Sequence, residues 1–216
     1  PHRRRRRGSQ GLERETPAQL RRLPLAPVNP IRVTERAQLL AQEVLRAGDI
    51  AMDGTAGKGR DTACLAQAVG ASGHVHAFDI QAEAIAATAN LLTLAGLADR
   101  VTLHARSHAD LDAVLPAAHR GRLGAALFNL GYLPGGNPDI ITQPQSTATA
   151  LQAAFEALRS GGRLICVAYT GHPGGMDESD VVLAFAAGRT SAGDTAEKIG
   201  HVPNPGKPWV LAVTKR

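Results

Sequence analysis

Two short stretches hold the side chains best suited to chemistry: FNLGYLPGG, Phe128 to Gly136, and DGTAGKGRDT, Asp53 to Thr62. In the first, an apolar run ends in Asn129, followed by Gly131, Tyr132 and a Pro-Gly-Gly loop. An amide oxygen accepts an N–H, an aromatic ring stacks on a planar base, and bare backbone lets a substrate come close. The carbonyl of Leu130 offers a second acceptor, Gly131 leaves room for it, and Pro134 and Gly135 continue the same lip. This is the set needed to hold an amine with its lone pair aimed at an electrophile. A plain strand-to-loop turn is the alternative, but it gives no reason for Asn and Tyr to occur together.

The second stretch is rich in glycine. Gly54, Gly57 and Gly59 let the backbone turn tightly and approach a ligand beside a helix N-terminus. Their spacing, G-x-x-G-x-G, is neither the G-x-G-x-x-G of dinucleotide sites nor a P-loop. Asp79 lies 20 residues beyond Gly59 at the end of the next apolar run. An acid there takes the two ribose hydroxyls of an adenosine cofactor. Asp53, beside the glycines, would repel a pyrophosphate and suits a cofactor with an ammonium group. That favours S-adenosylmethionine over a nicotinamide dinucleotide, unless Asp53 only caps the turn that follows it.

Strand and helix patterns alternate around these stretches. DIAMD (49–53), HVHAFD (74–79), RVTLH (100–104), GAALFN (124–129) and LICVAY (164–169) read as strands, with two weaker strands after them, the last being 209–216. Helices are expected from an N-cap at Thr34 to Gly48, then over 60–69, 82–96, 109–115, 146–159 and 178–187. Apolar strands joined by crossover helices make a doubly wound, mostly parallel α/β sheet with both faces covered. The carboxyl ends of its strands line the ligand crevice, so Asn129 and the glycine loop should meet there.

Composition limits the rest. The net charge is +5, but residues 1–28 hold eight arginines against two glutamates, which is +6, and residues 29–216 carry 16 Lys+Arg against 17 Asp+Glu, which is −1. The basic character lies in an N-terminal arm, expected to be disordered and punctuated by Pro17, Pro24, Pro27 and Pro30, with the domain spanning 29–216. Such an arm could add salt-dependent affinity for RNA. No apolar run reaches the roughly 18 residues that span a bilayer. Cys64 and Cys166 read as reduced core residues of a cytoplasmic protein, and no Cys/His spacing suggests zinc. His74, His76 and His104 read as structural. Trp209 reads as core, with an RNA-facing edge formed with Lys207 as the alternative.

FNLGY resembles, with two changes, the Asn-Pro-Pro-Tyr motif of amino-group methyltransferases. Together with FDIQAEAI, STATAL and YTGHPGG, these stretches identify residues 29–216 as resembling the bacterial rRNA-methylase family of class I S-adenosylmethionine-dependent methyltransferases. That family includes tRNA wobble-uridine enzymes, which convert a 5-aminomethyl to a 5-methylaminomethyl group. The resemblance implies a seven-stranded sheet with an antiparallel last strand. It also implies cofactor contacts from Asp53, Thr55, Gly57, Lys58, Asp61 and Thr62 at the methionine end, from Asp79 and Gln81 at the ribose and adenine, and from Ser107 and His108 on the adenine side. Tyr169 and His172 in YTGHPGG fall on the substrate side, where His172 would touch the substrate or keep its amine deprotonated, completing a catalytic set with Asn129 and Tyr132. Where the family has Asn and His in a GNGHDT loop, this chain has Lys58 and Arg60. The expected partner is tRNA, or rRNA as the alternative, with no membrane, no metal and room for a homodimer. An NAD-dependent oxidoreductase and a non-catalytic RNA-binding module remain as readings from other classes.

Overall fold

The computed structural model describes residues 31–133, 135–136, 140–200 and 206–216. The arginine-rich arm, its prolines and Pro134 lie outside the described residues. The elements run α1 (Val33–Gln42), β1 (Ile50–Asp53), α2 (Arg60–Val69), β2 (His74–Asp79), α3 (Ala82–Leu94), β3 (Val101–Ala105), α4 (Leu111–Val114), β4 (Leu123–Leu130), α5 (Pro144–Ala157), β5 (Leu158–Ala168), α6 (Gly175–Ser191), β6 (Thr195–Ile199) and β7 (Trp209–Thr214). The strands form one sheet in the order β3-β2-β1-β4-β5-β7-β6, in which β7 alone runs antiparallel to its neighbours. Chain progression reverses between β1 and β4, the switch point at which open α/β sheets hold their ligands.

Side-chain alternation explains the layering. Along β4, Ala125 and Leu127 enter a core with Leu40, Leu65 and Val69 from α1 and α2. Ala126, Phe128 and Leu130 enter the opposite core, with Leu151 and Phe155 of α5 and Trp209 of β7. Asn129 continues the first row and therefore leans toward α1 and α2. Trp209 is fully buried, its indole N–H donating to Ser179 Oγ at 3.0 Å, so it is core and not an RNA-facing edge.

Several boundaries differ from expectation, and α1 ends at Gln42 and not at Gly48. α1 is capped from Arg32, not Thr34, because the Glu35 carboxylate accepts both the Arg32 backbone N–H at 3.2 Å and its Nε at 2.9 Å. β5 starts at Leu158, six residues earlier than the apolar run, through the exposed Ser160–Gly161 stretch. α6 runs from Gly175 to Ser191, beyond both expected ends. No helix among the described residues is long and apolar enough to cross a membrane, and no group of three or more His, Cys, Asp or Glu among them could hold a metal. Cys64 and Cys166 are unpaired.

Candidate active site

The loop after β1 is tied to every element around it. Gly54 N–H donates to Leu127 O of β4 at 2.8 Å, and Ala56 N–H to Phe78 O of β2 at 2.8 Å. Asp79 accepts from the N–H groups of Gly57 and Gln81, both at 2.9 Å. Thr88 of α3 donates its hydroxyl to Gly57 O at 3.1 Å, and the His108 ring donates from Nδ1 to Gly54 O at 3.0 Å. The glycines are sterically required: a Cβ on Gly54 would lie 2.2 Å from Phe128, and one on Gly59, at φ 79°, would lie 2.9 Å from Thr88 Cα.

Asp53 does not face the cleft. It is fully buried beneath the loop, accepting from Thr55 N–H at 3.0 Å and from the Thr62 hydroxyl at 2.6 Å. It braces the turn, and Thr62, also fully buried, is its partner and not a wall of the cleft. Burial, reinforced by the nearby charge of Asp61, raises its carboxyl to about 7, against the two hydrogen bonds that favour the anion. The carboxylates at the cleft wall are Asp61, Asp79 and Glu35, the last paired with Arg32.

Asp61, in the first turn of α2, joins three elements. It accepts from Gln38 Nε2 of α1 at 2.5 Å and from Asn129 Nδ2 of β4 at 2.6 Å. A carboxylate offers only acceptors here, so the Asn129 amide must turn its NH₂ toward Asp61. Its oxygen then points the other way, buried and without a partner among the described residues. The Asn129 backbone N–H is held by the Thr55 hydroxyl at 2.7 Å.

The lip beyond Asn129 is more open. Leu130 is fully buried, and its carbonyl accepts from Tyr169 N–H at 3.2 Å. That carbonyl joins β4 to the loop after β5 and keeps its second lone pair. Gly131 O accepts from Thr142 N–H at 2.9 Å, and Tyr132, half-exposed, bridges to Ile141. The rings of Tyr132 and His172 meet edge to face, 6.1 Å between centroids. His172 Nδ1 donates to Pro173 O at 2.9 Å, so its bare Nε2 is left buried without a partner, behind Gly131 and outside the cleft wall. Tyr169 lines the cleft, and its phenol is pushed up by burial and then by the charge of Asp61. Gly135 lies beside Lys58: a Cβ there would be 3.5 Å from Nζ.

Glu178 in the first turn of α6 went unnoticed in the sequence. It is almost completely buried, accepting from the hydroxyls of Thr142 at 2.6 Å and Thr147 at 2.5 Å. It pins the end of the Asn129 lip to α5 and α6. A glutamate three residues into a helix that follows YTGHPGG, and an ST-rich start to α5, are the only local hints of it.

The cleft these parts enclose has a volume of about 1180 Å³, enough for a nucleoside-sized cofactor and part of a substrate. At the ends of β2 and β3, Gln81 Oε1 and His108 Nε2 are both buried acceptors without partners among the described residues, and Ser107 caps the turn that carries His108 by accepting from Ala109 N–H at 3.2 Å. With Asp79 these atoms fit an adenosine, whose exocyclic amine and ribose hydroxyls are donors.

The chain matches the family described as "Putative rRNA methylase" over residues 75–214. It belongs to that family of S-adenosylmethionine-dependent methyltransferases. It is 35% identical over 218 residues to the chloroplastic tRNA (mnm(5)s(2)U34)-methyltransferase of Arabidopsis thaliana, covering 93% of this chain and 79% of the relative. Among solved structures, one described as a putative rRNA-methylase from Clostridium thermocellum superposes with a TM-score of 0.80 at 34% identity, covering 88% of this chain and all of that one. Another, a putative methyltransferase from Streptococcus mutans in complex with SAH, gives 0.74 at 30% identity, covering 86% of this chain and 98% of the other. Family membership agrees with the sheet order and with β7 as the antiparallel strand.

Proposed function

We propose that this protein N-methylates the 5-aminomethyl group of a tRNA wobble uridine. The observation that carries the reading is the Asn129 amide: Asp61 holds its NH₂, and the oxygen is left buried and unpartnered at the end of β4. An amine N–H is the donor that this oxygen lacks, and accepting it orients the nitrogen lone pair. The activity named for the Arabidopsis relative supports the aminomethyl target, and the rRNA-methylase family description keeps a ribosomal base as the alternative.

When bound, S-adenosylmethionine supplies an electrophilic methyl on a sulfonium. Asp79, Gln81 and His108 would hold its adenosine, and Thr55, Gly57 and Asp61 its methionine end. The chain's remaining tasks are positional, since displacement at such a methyl needs orientation and exclusion of water more than proton transfer. Asn129 aligns the amine, and Tyr132, exposed at the lip, stacks on the uracil ring. As the N–C bond forms and the sulfonium S–C bond breaks, the amine would become an ammonium, whose proton passes to solvent.

Transfer of labelled methyl from S-adenosylmethionine to tRNA carrying an aminomethyl wobble uridine tests the reading, with Asn129→Ala alongside. The expected loss in the variant is about 10²–10³-fold in kcat with affinity for S-adenosylhomocysteine (SAH) within a few-fold of wild type. Wild-type protein that binds SAH but leaves this tRNA unmodified would remove the wobble-uridine assignment.

A further inference from the structure

Outside the arm the chain carries a slight negative charge, which is a poor basis for holding a polyanion unless cations are gathered in one place. Three of them are. Lys58 and Arg60 flank Gly59 on the cofactor loop, Arg106 stands in the turn after β3, and all three are exposed and line the mouth of the cleft. The ion-paired cations among the described residues are Arg32, Arg120, Arg159, Arg163 and Arg189. Lys58, Arg60 and Arg106 make no side-chain hydrogen bond or ion pair there.

The acids of the same cleft wall are already engaged, Glu35 by Arg32. Asp61 is held by Gln38 and Asn129, and Asp79 by two backbone N–H groups. Nor do the cations serve the helix, because positive charge in the first turn of α2 is disfavoured by its dipole. A nucleotide that puts its base against Asn129 and Tyr132 must leave its phosphates at the mouth. Lys58 stands at that position on the lip side, with Nζ near Gly135, and Arg106 on the adenosine side.

We infer that Lys58, Arg60 and Arg106 form a phosphate-binding rim that grips the RNA backbone on either side of the target nucleotide. This rests on the RNA reading above and moves Lys58 from the cofactor to the substrate. The acidic floor and the cationic rim then have separate ligands: the floor faces the positively charged methyl donor and the incoming amine, the rim the phosphodiesters.

The test uses the full chain, arm included, and measures tRNA affinity against KCl concentration for wild type, Lys58→Ala/Arg60→Ala/Arg106→Ala and Arg106→Ala alone. SAH affinity is measured in parallel by calorimetry. With about 0.7 of salt slope per phosphate contact on single-stranded RNA, the triple variant should lower the slope by about 2 and Arg106→Ala by about 0.7. SAH affinity should stay within about twofold, which also shows that the variants are folded. An unchanged slope in both variants would overturn the rim and leave the RNA reading intact. Lost SAH affinity in the triple variant, with the slope retained, would overturn it by returning Lys58 to the cofactor. Wild-type protein that binds no tRNA would remove the RNA reading, and the rim with it.

Discussion

The loop after β1 and the lip after β4 rise from neighbouring strands, yet they are built in opposite ways. The cofactor loop is bonded from β2, β4, α3 and the turn after β3, and a buried Asp53–Thr62 pair braces it from below. Among the described residues, the lip is joined to its neighbours by two backbone bonds and one isolated bridge, with Tyr132 half in solvent. The loop is a finished platform for a small ligand of fixed shape. The lip is an edge for a large one, fastened at its far end by Glu178 and carrying in Asn129 Oδ1 an acceptor without a partner among the described residues.

If the halves are separate, variants should separate them. The largest effect is expected at Asp79, which organises the loop by accepting from Gly57 and Gln81 N–H groups. Asp79→Ala strands both donors and loosens the loop, so SAH affinity should fall by about 100-fold or more in calorimetry. Near-normal binding would show that the platform does not depend on that acid. Glu178→Ala should do the reverse: kcat/KM for tRNA falls about tenfold while SAH affinity holds. Glu178→Gln should recover part of the loss, because one amide oxygen can still accept from Thr142 or Thr147.

Acid should loosen the cofactor half first. Beneath it, His76 Nδ1 meets His104 Nε2 at 3.1 Å and His76 Nε2 meets His119 Nδ1 at 2.8 Å, with His74 at ring-contact distance. A neutral His76 can donate at one nitrogen and accept at the other, whereas an imidazolium can only donate. Burial, and then the charges of His74, His104 and His119, bring His76 down to about 3, while burial, and then Arg106 and Arg122, lower His104 and His119. Because the folded value lies below the unfolded 6.5, the unfolded chain binds more protons, and stability present above about pH 6.5 is lost as pH falls toward 3. Urea titration should show about 1–2 kcal/mol less stability at pH 5 than at pH 7 from this site, and His76→Gln should flatten that fall. The smallest effect is expected for Thr88→Val, which deletes one bond to Gly57 O and should weaken SAH binding only a few-fold.

How well the sequence spoke for each part follows the same division. Helix α2 and strand β2 begin and end where apolar periodicity and glycine punctuation put them, and Asp79 stands at the cleft wall because that place needs only a strand end and a distance from Gly59. Asp53 misled for a physical reason: its position at a strand tip says nothing of whether Thr62, nine residues on, folds back over it. The Gln38–Asp61–Asn129 chain draws on α1, α2 and β4, and no local pattern marks a contact between residues 68 apart. The start of α1 was displaced because Arg32 is an unusual cap, supported by the return bond of Glu35.

The most direct test of the account is where the methyl group goes. Wild-type protein would be incubated with deuteromethyl-labelled S-adenosylmethionine and RNA carrying a 5-aminomethyl wobble uridine, and the RNA digested to nucleosides for mass spectrometry. The account predicts the label on the exocyclic nitrogen of that one nucleoside, and none when Asn129 is alanine. Label on a ring position or on a ribosomal base, or label undiminished in Asn129→Ala, would contradict the assignment of Asn129 as the residue that holds the amine.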